Sequence, residues 1–228
     1  MEVVGLIQRW RDQVRTLNDH RPAVLDAISE PPPLFDGTTR LYITYTCPHA
    51  QRVWILRNYK VPSLEHNGKV IGESLDLLKY VDSNFEGPTF HLNDPAKKEF
   101  VEELTIYSDT FIKILFASFK GDTVKEAGPC FDYLENALHK FNDGPFLLGH
   151  EFNMVDIVYI TFVEKSQDFL SAVWNYDITA GRPKLARWIE EINKIDAYKS
   201  TKTDPKVTVE FFTLRIEHTS TVPLDFNK

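Results

Sequence analysis

A cysteine followed by proline gives this sequence its clearest reactive group, in Cys47-Pro48-His49-Ala50. The thiolate form is the nucleophile, and unpaired N–H groups at the N-terminus of a helix lower the pKa of a cysteine there. Alanine in the fourth position leaves no neighbouring thiol to resolve a mixed disulfide on Cys47. The motif predicts one-thiol chemistry that an external thiol completes, and the alternative is that Cys47 is a small core residue.

Local patterns on both sides would position this thiol at a strand-to-helix turn. Residues 41–45 are β-branched and aromatic, which predicts a strand. Pro48 opens a helix that is predicted to run to about residue 57, because proline is favoured in the first helical turn. Further on, Asn-Gly at 67–68 predicts a hairpin between strands at 61–64 and 69–71, with Glu65 and His66 in the loop, and a short helix follows at 74–81.

Helical patterns continue through the second half of the chain. They extend over 94–119, over 123–141, from 152 onward, and over 183–195. The tail after residue 201 has no clear pattern. The sequence therefore predicts a small α/β domain followed by an all-helical domain, joined near residues 85–93.

Several residues of this helical half have a structural interpretation. Asn153 and Asp156 occupy the N-cap and N3 positions of a helix, which indicates a capping box. We expect Cys130, within a helical pattern, to be a buried and inert thiol. One face of the 94–119 helix is apolar, which favours bundle core over a ligand pocket without excluding the pocket. This apolar stripe consists of Leu104, Tyr107, Phe111 and Leu115.

Composition excludes several classes of function. The 228 residues are 43% hydrophobic and 26% charged, as in globular proteins, and the net charge of −7 with no basic face argues against nucleic acid. No apolar run approaches the ~18 residues of a membrane span. Two distant cysteines and seven scattered histidines do not match a secreted disulfide scaffold or a metal site. We expect a cytosolic protein without a metal.

Three motifs in sequence order carry a resemblance to a known family. LYITYTCPHAQRVWI begins at residue 41, VPSLEHNGKVIGESLDLLKYVD at 61 and FNMVDI at 152. Together they resemble the glutathione transferase family, specifically its plant lambda class, over about residues 30–195. The resemblance implies a shortened thioredoxin-like domain at 39–86 after an extension at 1–38, and an all-helical glutathione transferase domain at 94–216.

The resemblance also implies a site for glutathione as cosubstrate. Cys47 would form the mixed disulfide with glutathione, and Val61 would pair its backbone with the cysteinyl part. The bond to Pro62 is expected to be cis, which turns the Val61 backbone outward as a strand-edge partner. Glu73 and Ser74 would hold the γ-glutamyl end, because a helix N-terminus favours a carboxylate; by themselves they also fit an ordinary helix start.

The activity implied is that of a glutathione-dependent thiol transferase or reductase in redox metabolism and detoxification, acting on glutathionylated molecules or on dehydroascorbate-type substrates. Small aromatic substrates and a monomeric state are also implied, and conjugation of electrophiles would be weak. His49 could tune Cys47 or the substrate opening, although lambda-class sequences commonly carry an aromatic residue there. The alternatives are a non-catalytic carrier of flavonoid-like aromatic ligands and an inactive truncated isoform.

One feature departs from that family. The first helix is followed directly by the strand at Val61, so the second strand and second helix of a thioredoxin-like domain, with a lysine that contacts glutathione, are missing. A helix of about twelve residues would carry the chain roughly 18 Å from Cys47. Val61 therefore returns to the site only if that helix is cut short. The missing strand would also leave an open sheet edge beside the first strand.

Overall fold

Three short strands precede a series of helices in the computed structural model of this chain, which describes residues 40–41, 48–49, 64–85, 90–120 and 124–219. All of these residues belong to one compact unit, Gly37–Lys228. The described elements are β1 Arg40–Leu41, β2 Leu64–His66, β3 Lys69–Ile71, α1 Ser74–Asn84, α2 Pro95–Ser118, a 3-10 helix Val124–Ala127, α3 Gly128–Ala137, α4 Met154–Trp174, α5 Pro183–Ile192, α6 Asp196–Lys199 and α7 Pro205–Thr219.

The strands form an antiparallel sheet in the order β1-β2-β3. Asn67 and Gly68 connect β2 to β3 with φ of 51° and 70°, and two positive φ angles are the signature of a type I′ hairpin turn. The Asn-Gly turn is thus confirmed. The prediction that Glu65 and His66 lie in the loop was wrong, because this turn needs two residues and the ladder already begins at the pair His66 and Lys69.

Helix α1 covers the sheet through a small apolar cluster. Leu77 and Val81 pack with Leu64 of β2, and the Tyr80 hydroxyl lies 2.9 Å from His66 Nδ1. The helix is three residues longer than the predicted 74–81 and ends at Asn84, because the backbone of the next residue, Phe85, is extended. The hairpin and α1 therefore pack against each other around this cluster.

The helical half has the larger core, and the apolar stripe of α2 is part of it. Leu104, Phe111 and Leu115 are buried, and the Tyr159 hydroxyl of α4 donates to the Leu104 carbonyl at 2.6 Å. Tyr107 is half-buried against Tyr133 of α3, with 3.9 Å between ring centroids. The interpretation of this stripe as bundle core is confirmed.

The capping box at the start of α4 is confirmed as well. The Asn153 side chain accepts from the first turn, and Asp156 Oδ2 accepts from the Asn153 N–H at 2.8 Å. Asp156 Oδ1 also accepts from the Leu147 N–H at 3.0 Å and from Trp188 Nε1 at 2.7 Å. Burial raises the pKa of Asp156 to about 6, against the lowering effect of these donors. This carboxyl therefore connects α4, α5 and the preceding loop.

Helix boundaries differ from the predictions where tertiary contacts decide. The 123–141 segment divides into a 3-10 helix and α3, and the 183–195 segment ends as a helix at residue 192. The tail, which lacked a clear pattern, forms α6 and α7. Phe212 of α7 is buried against Phe119 and Phe169, so its helix is stabilised by packing onto the bundle. None of the described helices is long and apolar enough to cross a membrane.

Candidate functional site

The residues directly after Cys47 are helical. Pro48 is buried and His49 is half-buried, and both have α-helical backbone, as the sequence predicts for a helix opened by proline. Cys47, Val61 and Pro62 lie outside the described residues. The thiol environment and the expected cis bond therefore stay predictions.

Strand pairing relates the two predicted parts of the site. Leu41 of β1 pairs with Leu64 of β2, and Arg40 pairs with Glu65. The strand that leads toward Cys47 thus lies beside the strand that follows Val61-Pro62 in sequence. Within the described residues β1 is an edge strand, because β2 pairs it on one side only.

Glu73 and Ser74 form the N-terminus of α1. Ser74 is the first helical residue and is 6% exposed, whereas Glu73 is exposed at the N-cap position without a side-chain capping bond. Glu73 has φ 59° and ψ 116°, a backbone conformation that is uncommon for glutamate. The other two non-glycine residues described with positive φ are Asn67 and Asn175, and asparagine tolerates such angles better. Such strain costs about 1 to 3 kcal/mol and is concentrated at functional sites.

The His49 ring contacts the helical half. It meets Phe162 of α4 edge-on, with 4.9 Å between ring centroids. Phe162 lies 6.2 Å from the Phe116 ring, which lies 5.6 Å from Phe212 of α7. We call these four residues the aromatic row. It leads from the start of the helix after Cys47 to α7.

Sequence reasoning singled out His49 but missed Phe162 and Phe116. The signal in the sequence was the almost unbroken apolar run at 157–163, which is typical of a helix buried on all sides. That run indicates burial, but it does not show which ring meets His49.

Cys130 matches its predicted structural role. The thiol is fully buried, and its Sγ donates to the Ala127 carbonyl at 2.9 Å. Burial raises the pKa of Cys130 to about 12, so it is almost entirely a thiol at neutral pH. Among the described residues no group of His, Cys, Asp and Glu is arranged to hold a metal ion.

Comparison with known families gives two matches in chain order. The model for "Glutathione S-transferase, N-terminal domain" matches residues 57–89, and that for "Glutathione S-transferase, C-terminal domain" matches residues 98–201. The order is the one expected for a thioredoxin-like domain followed by a helical domain.

Curated plant proteins are similar over nearly their whole length. Glutathione S-transferase L3 of Arabidopsis thaliana is 54% identical over 223 residues, which cover 85% of this chain and 94% of the relative. Glutathione S-transferase L2, chloroplastic, of the same plant is 44% identical over 248 residues, covering 93% and 85%. Among solved structures, glutathione transferase Omega 3C from Trametes versicolor has a TM-score of 0.69 at 19% identity, over 80% of this chain and 91% of that one, which shows the shared fold.

These alignments also show that the chain is short of residues. The L3 alignment extends over 223 positions, but 85% of 228 residues is about 194, so about 29 positions have no residue of this chain. A gap of this kind is expected if the thioredoxin-like domain is shortened. With more than half of its residues identical to a lambda-class relative, and both domain models matched in order, the chain belongs to the glutathione transferase family, in its lambda class.

Proposed function

We propose that this protein is a glutathione-dependent thiol transferase or reductase that works through Cys47. The observation that carries the proposal is the helical backbone at Pro48 and His49, directly after the cysteine. Unpaired N–H groups at the start of a helix stabilise the thiolate of a cysteine that directly precedes it in sequence, so we infer a lowered pKa for Cys47. The fourth residue of the motif is Ala50, so a second protein thiol is not at hand in the motif.

The reaction consists of two thiol-disulfide exchanges. The Cys47 thiolate attacks the glutathione sulfur of a glutathionylated substrate, and the substrate leaves as a thiolate that takes up a proton. Cys47 is then joined to glutathione by a disulfide. The thiolate of a second glutathione attacks the glutathione sulfur of that disulfide, which releases oxidised glutathione and restores the Cys47 thiolate.

Glutathione would be bound by Val61 with Pro62, and by Glu73 with Ser74. The β1–β2 pairing supports this assignment, because it brings the strand before Cys47 next to the strand after Pro62. The strained backbone of Glu73 supports the second contact, since strain of this kind persists where a site needs it. The first turn of α1 would bind the α-carboxylate of the γ-glutamyl end.

Substrates would approach Cys47 on the side of the half-buried His49. The edge contact of His49 with Phe162 supports a positioning role for His49, because it couples the start of the Cys47 helix to α4. We propose small aromatic and glutathionylated molecules as the substrates, because the family resemblance implies them.

Mass spectrometry after incubation with oxidised glutathione tests the proposal. The unchanged protein is expected to gain one glutathione, which reduced glutathione removes, and Cys47→Ser is expected to gain none. Cys130→Ser is the matched control and should label like the unchanged protein, because the Cys130 thiol is buried and protonated. Equal labelling of both cysteines, or no labelling, would contradict the proposal.

Location and assembly are part of the same proposal. A reactive thiol without a disulfide partner fits a reducing compartment, so we propose the cytosol, although one relative is named chloroplastic. A fluorescent fusion in plant cells distinguishes the two compartments. We propose a monomer, and light scattering coupled to size exclusion measures its mass.

A further inference from the structure

The aromatic row connects α7, the last of the described helices, to the residues directly after Cys47. Phe212 of α7 contacts Phe116 of α2 with 5.6 Å between ring centroids, and Phe116 contacts Phe162 of α4 at 6.2 Å. Phe162 in turn contacts His49 at 4.9 Å. Rings from four separate segments of the chain thus form one continuous series of contacts.

Phe116 is the point at which the row joins the rest of the core. Its ring also contacts Phe119 at 5.5 Å, and Phe119 contacts both Phe169 at 4.5 Å and Phe212 at 5.2 Å. Aromatic pairs prefer edge-on or offset geometries, and protein interiors are close-packed. A change in the Phe212 ring therefore alters the positions of its neighbours, because there is little free space to absorb it.

Burial limits how the row can act on the reaction. Phe162 is 2% exposed and Phe212 is 3% exposed, so neither ring presents enough surface to contact a substrate. His49 is half-buried and follows Cys47 by two positions. Any effect of Phe212 on the thiol through the row therefore passes through His49.

Two buried side chains of α7 allow its packing to be separated from the row. Val207 and Phe212 are both buried hydrophobic residues of this helix. Phe212 belongs to the large core, whereas Val207 lies outside that cluster of described residues. Shortening Val207 removes apolar surface from the helix without removing a ring from the row.

We propose that Phe212 is a positioning residue for Cys47, acting through the other members of the aromatic row. The inference rests on the proposed thiol chemistry of Cys47 and extends it to a residue of α7. The row holds His49 in place, and with it the first turn of the helix whose N–H groups stabilise the thiolate. When the row loses a ring, this turn is held less firmly, and the pKa of the Cys47 thiol rises toward the ordinary cysteine value of about 8.5.

Alkylation by iodoacetamide at a series of pH values measures the thiolate fraction of Cys47, and peptide mass spectrometry assigns the modified cysteine. In Phe212→Leu the midpoint of the pH profile should rise, and alkylation at neutral pH should slow several-fold. Val207→Ala is the matched control, because it shortens a buried side chain of the same helix outside the row. Its midpoint should equal that of the unchanged protein, and equal midpoints in the two variants would overturn the proposal.

A double-mutant cycle tests the route of the effect. In a His49→Ala background the row is already interrupted, so Phe212→Leu should not raise the midpoint further. A full additional shift there would show that Phe212 acts by another route, which would overturn the proposal. Phe116→Leu removes a ring from α2 and should reproduce the shift of Phe212→Leu, so the conclusion does not depend on the folding of one variant. An unchanged midpoint in Phe116→Leu would also count against the row.

The failure of this proposal is distinguishable from failure of the thiol transferase proposal, because alkylation needs no glutathione. If the unchanged protein is not glutathionylated, the thiol transferase proposal fails, and the alkylation midpoints of the variants still decide the role of Phe212. If glutathionylation occurs and Phe212→Leu keeps the midpoint of the unchanged protein, only the positioning role fails. Urea unfolding of every variant verifies that it is folded.

Discussion

His49 and Phe162 meet edge to face, with 4.9 Å between ring centroids and 80° between ring planes. Phe162 is 2% exposed in the core of the helical half, and His49 is the second residue after Cys47. The contact therefore connects the start of the predicted active-site helix to α4. We expect the reactivity of Cys47 to depend on it.

Phe162→Leu is expected to lower the free energy of unfolding by about 1 to 3 kcal/mol, from lost volume and ring contacts. It should also slow glutathionylation of Cys47 several-fold, because His49 loses its partner ring. Phe111→Leu is the control, since Phe111 is equally buried but contacts Tyr159 and Phe131 instead. It should lose similar stability without a change in rate. Urea unfolding and timed mass spectrometry measure both effects, and equal slowing in both variants would disprove the link.

Glu73→Gly is expected to weaken glutathione binding without lowering the free energy of unfolding. Glycine adopts the φ of 59° without strain, so the free energy of unfolding should stay unchanged or rise by about 1 kcal/mol. Affinity for glutathione, measured by calorimetry in a Cys47→Ser background, should fall several-fold as the loop before α1 loosens. Asn67→Gly relieves a similar φ in the hairpin turn and should leave affinity unchanged. A clear loss of stability in Glu73→Gly would show that the strain argument is wrong.

Asp156→Ala is expected to lower the free energy of unfolding by about 3 kcal/mol or more, because it leaves three buried N–H donors without an acceptor. These donors belong to Leu147, Asn153 and Trp188. Asp177→Ala is the control: the Asp177 carboxylate also accepts two hydrogen bonds from Thr179, but it is exposed. Its loss should be below about 1 kcal/mol. Comparable losses in urea unfolding would contradict a special role of Asp156.

Asp168 on α4 predicts a pH dependence of stability. The pKa of Asp168 is raised to about 6, mainly by burial and also by the charges of Glu164 and Asp204, although the charges of Lys165 and Lys202 lower it. The folded state thus binds this proton more tightly than the unfolded state. Its contribution to stability is full below about pH 4 and is lost as the pH rises through about 6.

The free energy of unfolding of Asp168→Asn, measured relative to that of the unchanged protein, should therefore be higher at pH 7 than at pH 4. The expected difference between the two pH values is about 1 kcal/mol after allowance for partial exposure. Urea unfolding between pH 4 and pH 7 measures the difference. Hydrogen bonds from Thr179 lower the pKa of Asp177, so Asp177→Asn should show a difference of the opposite sign. A difference that does not vary with pH would refute the role of Asp168.

Short-range interactions account for what the sequence by itself determined. The hairpin turn follows from Asn67 and Gly68, whose residue types tolerate positive φ. The start of α4 follows from Asn153 and Asp156, whose side chains reach backbone groups within three residues. Each depends on neighbours along the chain, so each is readable without knowing the fold. The three motifs likewise identified the family and, within it, the lambda class.

Contacts between distant segments decided the features of the fold that the sequence did not determine. The sequence does not indicate that His49 meets Phe162, or that Phe212 is buried between Phe119 and Phe169, because helix faces select their partners only when all the helices pack together. The tail folds as α7 for that reason, since its own pattern is weak. A groove between α1 and α2 likewise exists only where the two helices approach each other, and there an exposed Ile106 becomes one wall of a cavity. Local pattern specifies each element, whereas the packing free energy of the whole bundle specifies which side chains share a site.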